Sequence, residues 1–191
     1  MPYQPFSGER LAQRPSEFDR LLELLQAKGV RRVLEIGTRH GDTLHAFGLA
    51  VGLGGSVVGV DLPAGPWGHP DGQRNTDRAI ADLVEKGIEA SVIYGDSKSA
   101  EVIAQARARG PYDFVFIDGD HSAEGVRADW RNYGPLAPLV GFHDVDAAIL
   151  PKRKRQRYGV PALFEELMAE HPTTRFNAPP RAMGIGVVHR A

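Results

Sequence analysis

The sequence contains no cysteine, which excludes disulfides, thiolate metal sites and a cysteine nucleophile. It has no run approaching the about 18 apolar residues of a membrane span. Its opening, MPYQPFSGER, carries neither the apolar stretch nor the cleavage pattern of a secretory signal. A cytoplasmic protein without a membrane partner is the expectation. An excess of one charge is missing too, since 23 Lys and Arg oppose 24 Asp and Glu. The chain as a whole is therefore not drawn to nucleic acid or to an anionic surface. What is present is an ordinary globular balance, 42% hydrophobic and 25% charged, with 14 prolines and 22 glycines over 191 residues. That length and composition predict a single domain over residues 1–191 with many turns between short elements, residues 1–30 being a lead-in and first helix.

Periodicity divides the chain into alternating strands and helices. Ser16 to Lys28 places Phe18, Leu21, Leu22, Leu24 and Leu25 at helical spacing before Gly29. Arg31 to Ile36 predicts a buried strand, Gly37 to Gly41 a turn, and Asp42 to Val51 a helix with Asp42 as its N-cap. Strands follow at Ser56 to Val60, Ala90 to Tyr94, Tyr112 to Ile117 and Leu139 to Phe142. Helices at Asn75 to Lys86, Ser99 to Arg109, Ser122 to Tyr133 and Pro161 to Glu170 lie between and after them. Thr174 to Phe176 and Ile185 to Val188 would suit an antiparallel pair. Near-continuous apolar strands alternating with helices predict a Rossmann-like, doubly wound α/β sheet, mostly parallel, with that antiparallel pair at the C-terminus.

In such a sheet ligands bind beyond the carboxyl ends of the strands, and the polar clusters fall there. Gly37, Thr38 and Gly41 lie in the first turn, Glu35 ends the strand before it, and Asp61 with Leu62 follows the second strand. Asp61 lies 20 residues after Gly41, the offset at which a carboxylate reaches ribose hydroxyls. A dinucleotide loop needs G-x-G-x-x-G, but Arg39 stands where its second glycine belongs. A pyrophosphate would meet that side chain and the charges of Glu35 and Asp42. A cofactor bearing a sulfonium and an ammonium, S-adenosylmethionine, suits Glu35 instead. After the third strand, Asp96 can accept from an adenine amino group and Ser97 can serve the ring edge. Each residue also has a plain reading: the glycines as turn formers, Asp42 and Asp96 as helix caps.

The segments LEIGTRHGDTL, VVGVDL, YGDS, YDFVFIDGDHSAEGVRADW, FHDV, GVPALFEEL and GIGVV occur in this order from Leu34 to Val188. Through them the chain resembles class I S-adenosylmethionine-dependent methyltransferases, and among these methyltransferase family 24; FIDGDHS is the most specific part. The resemblance implies a cofactor pocket made by Glu35, Gly37, Gly41, Asp61, Asp96 and Ser97, with a methyl acceptor above the fourth and fifth strands. One departure is visible, because the two glycines common after the proline before the fifth strand are missing and Pro138 runs directly into Leu139.

Asp118, Asp120 and His121 follow the fourth strand, and His143, Asp144 and Asp146 the fifth. Adjacent strands lie about 4.8 Å apart, so if these two are neighbours, Asp118 and Asp144 could chelate one cation. Related methyltransferases use a divalent metal at such positions, so the resemblance implies Asp118, His143 and Asp144 as ligands. Carboxylates suit Mg²⁺, whereas His143 favours Mn²⁺ or Fe²⁺. Asp118 also borders the cofactor, and His121 or His143 could be the general base unless a metal lowers the acceptor's pKa directly. The expected activity is O-methylation of a small hydroxylated acceptor. A noncatalytic binding module of the same fold, or a nicotinamide-dependent oxidoreductase, stand as alternatives. The basic run Lys152 to Arg157 could hold an acidic acceptor or be a solvated loop, with nucleic acid disfavoured as a partner. Short loops over the cleft suggest that a second copy of the chain helps close it.

Overall fold

In the computed structural model the described residues are 3–8, 13–63, 65, 70–146, 157–177 and 183–190. Strands β1 (Arg32–Ile36), β2 (Ser56–Asp61), β3 (Glu89–Tyr94), β4 (Phe114–Ile117), β5 (Leu139–His143), β6 (Thr173–Phe176) and β7 (Ile185–His189) form one sheet, in the order β3-β2-β1-β4-β5-β7-β6. The first five pair in parallel. The expected antiparallel pair is present, but β7 inserts beside β5, leaving β6 as the edge. The polarity switch at β5 closes a sheet whose parallel part reverses its order at β1 and β4, and such a switch opens a crevice beyond the strand ends.

Helices α1 (Pro15–Ala27), α2 (Asp42–Val51), α3 (Gly72–Glu85), α4 (Ala100–Ala108), α5 (Ala123–Tyr133) and α6 (Val160–Glu170) cover both faces. Side chains alternate across β4 as a strand requires. Phe114 and Phe116 enter the layer with Phe18, Leu21, Leu44, Phe47 and Leu83, while Val115 and Ile117 enter the layer with Val126, Tyr133, Leu163 and Phe164. Phe47 meets the rings of Phe114 and Phe116 edge-on at 5.7 and 5.4 Å. Burial of each such side chain contributes about 1.5–3 kcal/mol, so α2 is anchored on β4 with its N-terminus facing the crevice. Among the described residues no helix is long and apolar enough to cross a membrane.

Several boundaries differ from expectation for local reasons. β4 begins at Phe114 because Tyr112 turns to donate to the Ala106 carbonyl (2.7 Å) and the Asp113 carboxylate accepts from the Arg31 and Arg32 amides (2.8 and 2.9 Å). α3 begins at Gly72 instead of Asn75. Asp42 is not the cap of α2: Gly41 takes that position at φ +75°, and the Asp42 carboxylate accepts from the Ser7 amide and hydroxyl (2.7 and 2.6 Å). Ser122 caps α5 by accepting from the Gly125 amide at 3.0 Å. The missing glycines before Leu139 leave the strand intact, since β5 is in register with β4 from its first residue, Phe114 opposite Leu139.

Candidate active site

A cavity of about 660 Å³ opens at the carboxyl ends of β1, β2, β4 and β5. Of the residues expected in the site, Gly37, Thr38, Asp61, Leu62, Asp96 and Ser97 line one half of it, beyond β1, β2 and β3, and Asp118, His121, His143 and Asp144 line the other, beyond β4 and β5. Two do not line it. Gly41 faces α3, and a Cβ there would lie 2.8 Å from the Thr76 Cα. Glu35 is fully buried in β1, where it pairs with Gly59 of β2 and Phe116 of β4. Trp67, and Lys152 to Gln156 of the basic run, lie outside the described residues, and Arg157 is exposed.

The first turn is built by close backbone approach. Gly37 adopts φ +93°, and a Cβ on it would stand 2.5 Å from the Asp118 carbonyl oxygen and 2.7 Å from the Gly119 Cα. This contact brings the β1 and β4 loops together as the floor of the cavity. Arg39, at φ +50°, donates its amide to the Asp61 carboxylate at 3.0 Å, which fixes that side chain at the end of β2. Burial raises the Asp61 pKa, partly offset by the Arg39 and Thr38 amides. Burial, followed by the charges of Asp118, Asp61 and Asp42, raises Glu35 well above its usual value. Among the described residues neither Glu35 oxygen nor the buried Thr38 hydroxyl has a hydrogen-bond partner. Asp96 is exposed and accepts from the Lys98 amide at 2.9 Å.

Beyond β4 and β5, Asp118 Oδ1 lies 3.3 Å from both His121 Nε2 and His143 Nδ1. Asp144 Oδ1 is 3.1 Å from His143 Nδ1, and its Oδ2 is 3.5 Å from His121 Nδ1. Asp144 adopts the left-handed region at φ +62°, which aspartate tolerates better than most residues. Burial opposes charge on Asp118, but His143 and His121 outweigh it and hold its carboxyl far below the usual range. Burial likewise favours a neutral His143, yet Asp118 and Asp144 raise it to about 9; His121, between the same carboxylates, is also raised. Asp144 is raised chiefly by burial. The ligand atoms of Asp118, His143 and Asp144 all lie within 4.8 Å of one another, a spacing that suits one cation. His121 stacks on Tyr158 with ring centroids 5.1 Å apart.

Two neighbours of the predicted residues have other partners: Asp120 lines the cavity beside Lys98, and Asp146 does not line it. Asp120 accepts from the Ser122 amide and pairs with Lys98 at 3.1 Å, and the Asp146 carboxylate accepts from Asn177 at 3.4 Å. Two other residues of the site were not among those expected. Gln13, from the lead-in, is buried and donates its amide to Asp118 Oδ2 at 2.6 Å while its carbonyl accepts from the Thr43 hydroxyl at 3.0 Å. A lone glutamine among polar loop residues has no periodicity to betray it. Asp129 of α5 is buried behind Ser97, whose hydroxyl it accepts at 2.7 Å; its position on the apolar side of α5 was the available signal.

Residues 34–145 match the model of a family described as a methyltransferase domain, methyltransferase family 24. No curated protein sequence matches the chain. Among solved structures, a proposed caffeoyl-CoA O-methyltransferase from Staphylococcus aureus superposes with a TM-score of 0.70 at 19% identity, covering 95% of this chain and 86% of its own. An O-methyltransferase from Bacillus cereus in complex with SAH gives 0.66 at 18%, covering 93% and 82%. The tomaymycin-synthesis O-methyltransferase TomG of Streptomyces achromogenes, in complex with SAM, gives 0.63 at 20%, covering 95% and 82%. At these identities the likeness is one of fold.

Proposed function

The chain belongs to the methyltransferase-domain family matched over residues 34–145, and from that premise we propose that it transfers the methyl group of S-adenosylmethionine to a hydroxyl of a small acceptor, assisted by a divalent cation. The observation that carries the cofactor assignment is that the carboxyl groups of Asp42 and Asp61 line the cavity beside the Gly37 turn. That field repels a pyrophosphate and attracts a sulfonium and an ammonium. Arg39, standing where a dinucleotide loop needs its second glycine, points the same way. The fold neighbours bound to SAH and SAM support the choice.

In this reading Asp61 accepts from the ribose, Asp96 and Ser97 meet the adenine, and the α2 N-terminus faces the cofactor's carboxylate, where free helix amides favour an anion. The acceptor sits over Asp118, His121, His143 and Asp144. Asp118, His143 and Asp144 would hold the cation, two carboxylates and an imidazole being a donor set that suits Mn²⁺ or Mg²⁺. Bound there, a divalent cation lowers the pKa of an acceptor hydroxyl. His121, stacked on Tyr158 and oriented by Asp118, stands beside that hydroxyl as the base that removes its proton, while the walls of the cavity align oxygen and methyl for in-line displacement. His143 must give up its proton to become a ligand, so cation binding is coupled to proton release.

Transfer of labelled methyl from S-adenosylmethionine to a panel of catechols and related hydroxylated acceptors tests the proposal. Transfer abolished by chelator and restored by Mn²⁺ or Mg²⁺ is the expected result, with Asp118→Ala retaining cofactor binding but not transfer. Full activity in chelator removes the metal, and no transfer to any hydroxyl removes the O-methyl assignment.

A further inference from the structure

Behind the cofactor half of the cavity lies a buried acid that the mechanism above does not use. Asp129 of α5 is 0% exposed. Its Oδ1 accepts from the Ser97 hydroxyl at 2.7 Å, and its Oδ2 has no hydrogen-bond partner among the described residues. That second oxygen faces the β4 loop, 3.5 Å from where a Cβ of Gly119 would stand. The Ser97 carbonyl is held independently by the Tyr133 hydroxyl at 2.6 Å. Ser97 is thus gripped at both ends by α5, at its main chain by Tyr133 and at its hydroxyl by Asp129, while it lines the cavity.

A hydroxyl has one proton and two lone pairs, and an ionised carboxylate can only accept. The Ser97 proton therefore points to Asp129, and what Ser97 offers the cavity is an acceptor. We propose that Asp129 is a specificity-determining residue acting through Ser97: by fixing the direction of the Ser97 proton it makes this edge of the site select a purine with an amino group at position 6 and reject one with an oxygen there. The inference rests on the adenosine reading of the cavity. Leaving a buried donor or acceptor against a like partner is what gives polar sites their discrimination.

The test compares binding of S-adenosylhomocysteine with that of S-inosylhomocysteine, its 6-oxo analogue, by calorimetry at pH 8.5. Burial raises Asp129 to about 7, against Asp96, Asp120 and Lys98 nearby, so the acid is ionised at that pH. The wild-type protein is expected to prefer the amino form by at least about tenfold, the worth of one well-placed hydrogen bond to a ligand. Asp129→Leu preserves side-chain bulk, frees the Ser97 proton to turn toward the cavity, and is expected to reduce that ratio about tenfold. In a Ser97→Ala background the same substitution should leave the ratio unchanged. A merely structural role weakens both ligands together and leaves the ratio at its wild-type value, which overturns the inference.

Should Asp129→Leu fail to fold, the wild-type ratio at pH 5.5 replaces it. There the acid proton bonds to Ser97 Oγ, since Oδ2 has no partner for it, and the ratio is expected to fall; an equal ratio at both pH values overturns the inference. If the wild-type protein binds neither ligand, the adenosine reading fails and takes this inference with it. S-adenosylhomocysteine binding with an unmoved ratio refutes the inference alone.

Discussion

Replacing Gly37 by alanine should damage the protein in two separable ways. At φ +93° an L-residue pays about 1–2 kcal/mol for crowding its own carbonyl. The added Cβ would lie 2.5 Å from the Asp118 carbonyl oxygen, about 1 Å inside the optimal separation of non-bonded atoms. Both neighbours are backbone, so no side chain can rotate away, and forced displacement of that kind costs about 1–3 kcal/mol. Together Gly37→Ala should lose about 2–5 kcal/mol, a large fraction of a typical domain's stability. Gly29, at φ +68° with nothing within 4 Å, is the internal control. Its alanine variant carries the conformational term alone and should lose about 1–2 kcal/mol. Urea denaturation of the two variants measures the difference. Because the displaced carbonyl belongs to Asp118, Gly37→Ala should also weaken cofactor binding and Gly29→Ala should not. Equal stabilities to within about 0.5 kcal/mol would refute the claim that close approach of the β1 and β4 loops requires this glycine, since distant, independent sites are comparable to that precision.

Gln13→Ala removes the donor to Asp118 and the acceptor of Thr43; about 1–3 kcal/mol of stability should be lost in denaturation, and turnover should fall more than cofactor affinity. Stability of the metal-free protein should also depend on pH through His143. Its folded pKa of about 9 exceeds the unfolded 6.5, so its contribution is complete below 6.5 and is lost as pH rises through 9, with a ceiling of about 3 kcal/mol. Denaturation midpoints from pH 6.5 to 10 should therefore decline; a rise across that range would contradict the assignment. Saturating Mn²⁺ should release protons, seen as a calorimetric enthalpy that varies with the ionisation heat of the buffer.

The architecture was legible because its signals are local. Apolar runs such as YDFVFI and turn residues such as Gly37 speak for themselves, and alternation of strand and helix leaves few topologies. The grouping of Asp118, His121, His143 and Asp144 was legible because each lies at or just beyond the end of β4 or β5, and parallel neighbours bring such residues together. Glu35 and Gly41 lay in the motif but not in the cavity wall. One sits inside the sheet, between Gly59 and Phe116; the other serves the contact of α2 with α3. Motif membership does not state which way a side chain points. Gln13 and Asp129 were missed for a different reason, since both act through long-range hydrogen bonds, Gln13 over 105 and 30 residues and Asp129 over 32. The β7 insertion beside β5 was equally non-local, as pairing order is decided by the whole sheet.

Calorimetric titration with S-adenosylhomocysteine, on the wild-type chain and on Asp61→Ala, tests the central claim most directly. The account predicts stoichiometric binding to the wild type and at least about tenfold weaker binding to the variant, because a charged hydrogen bond to the ribose is worth about 1.5–3 kcal/mol. Absence of binding to the wild type, or equal affinity of the two proteins, would contradict it.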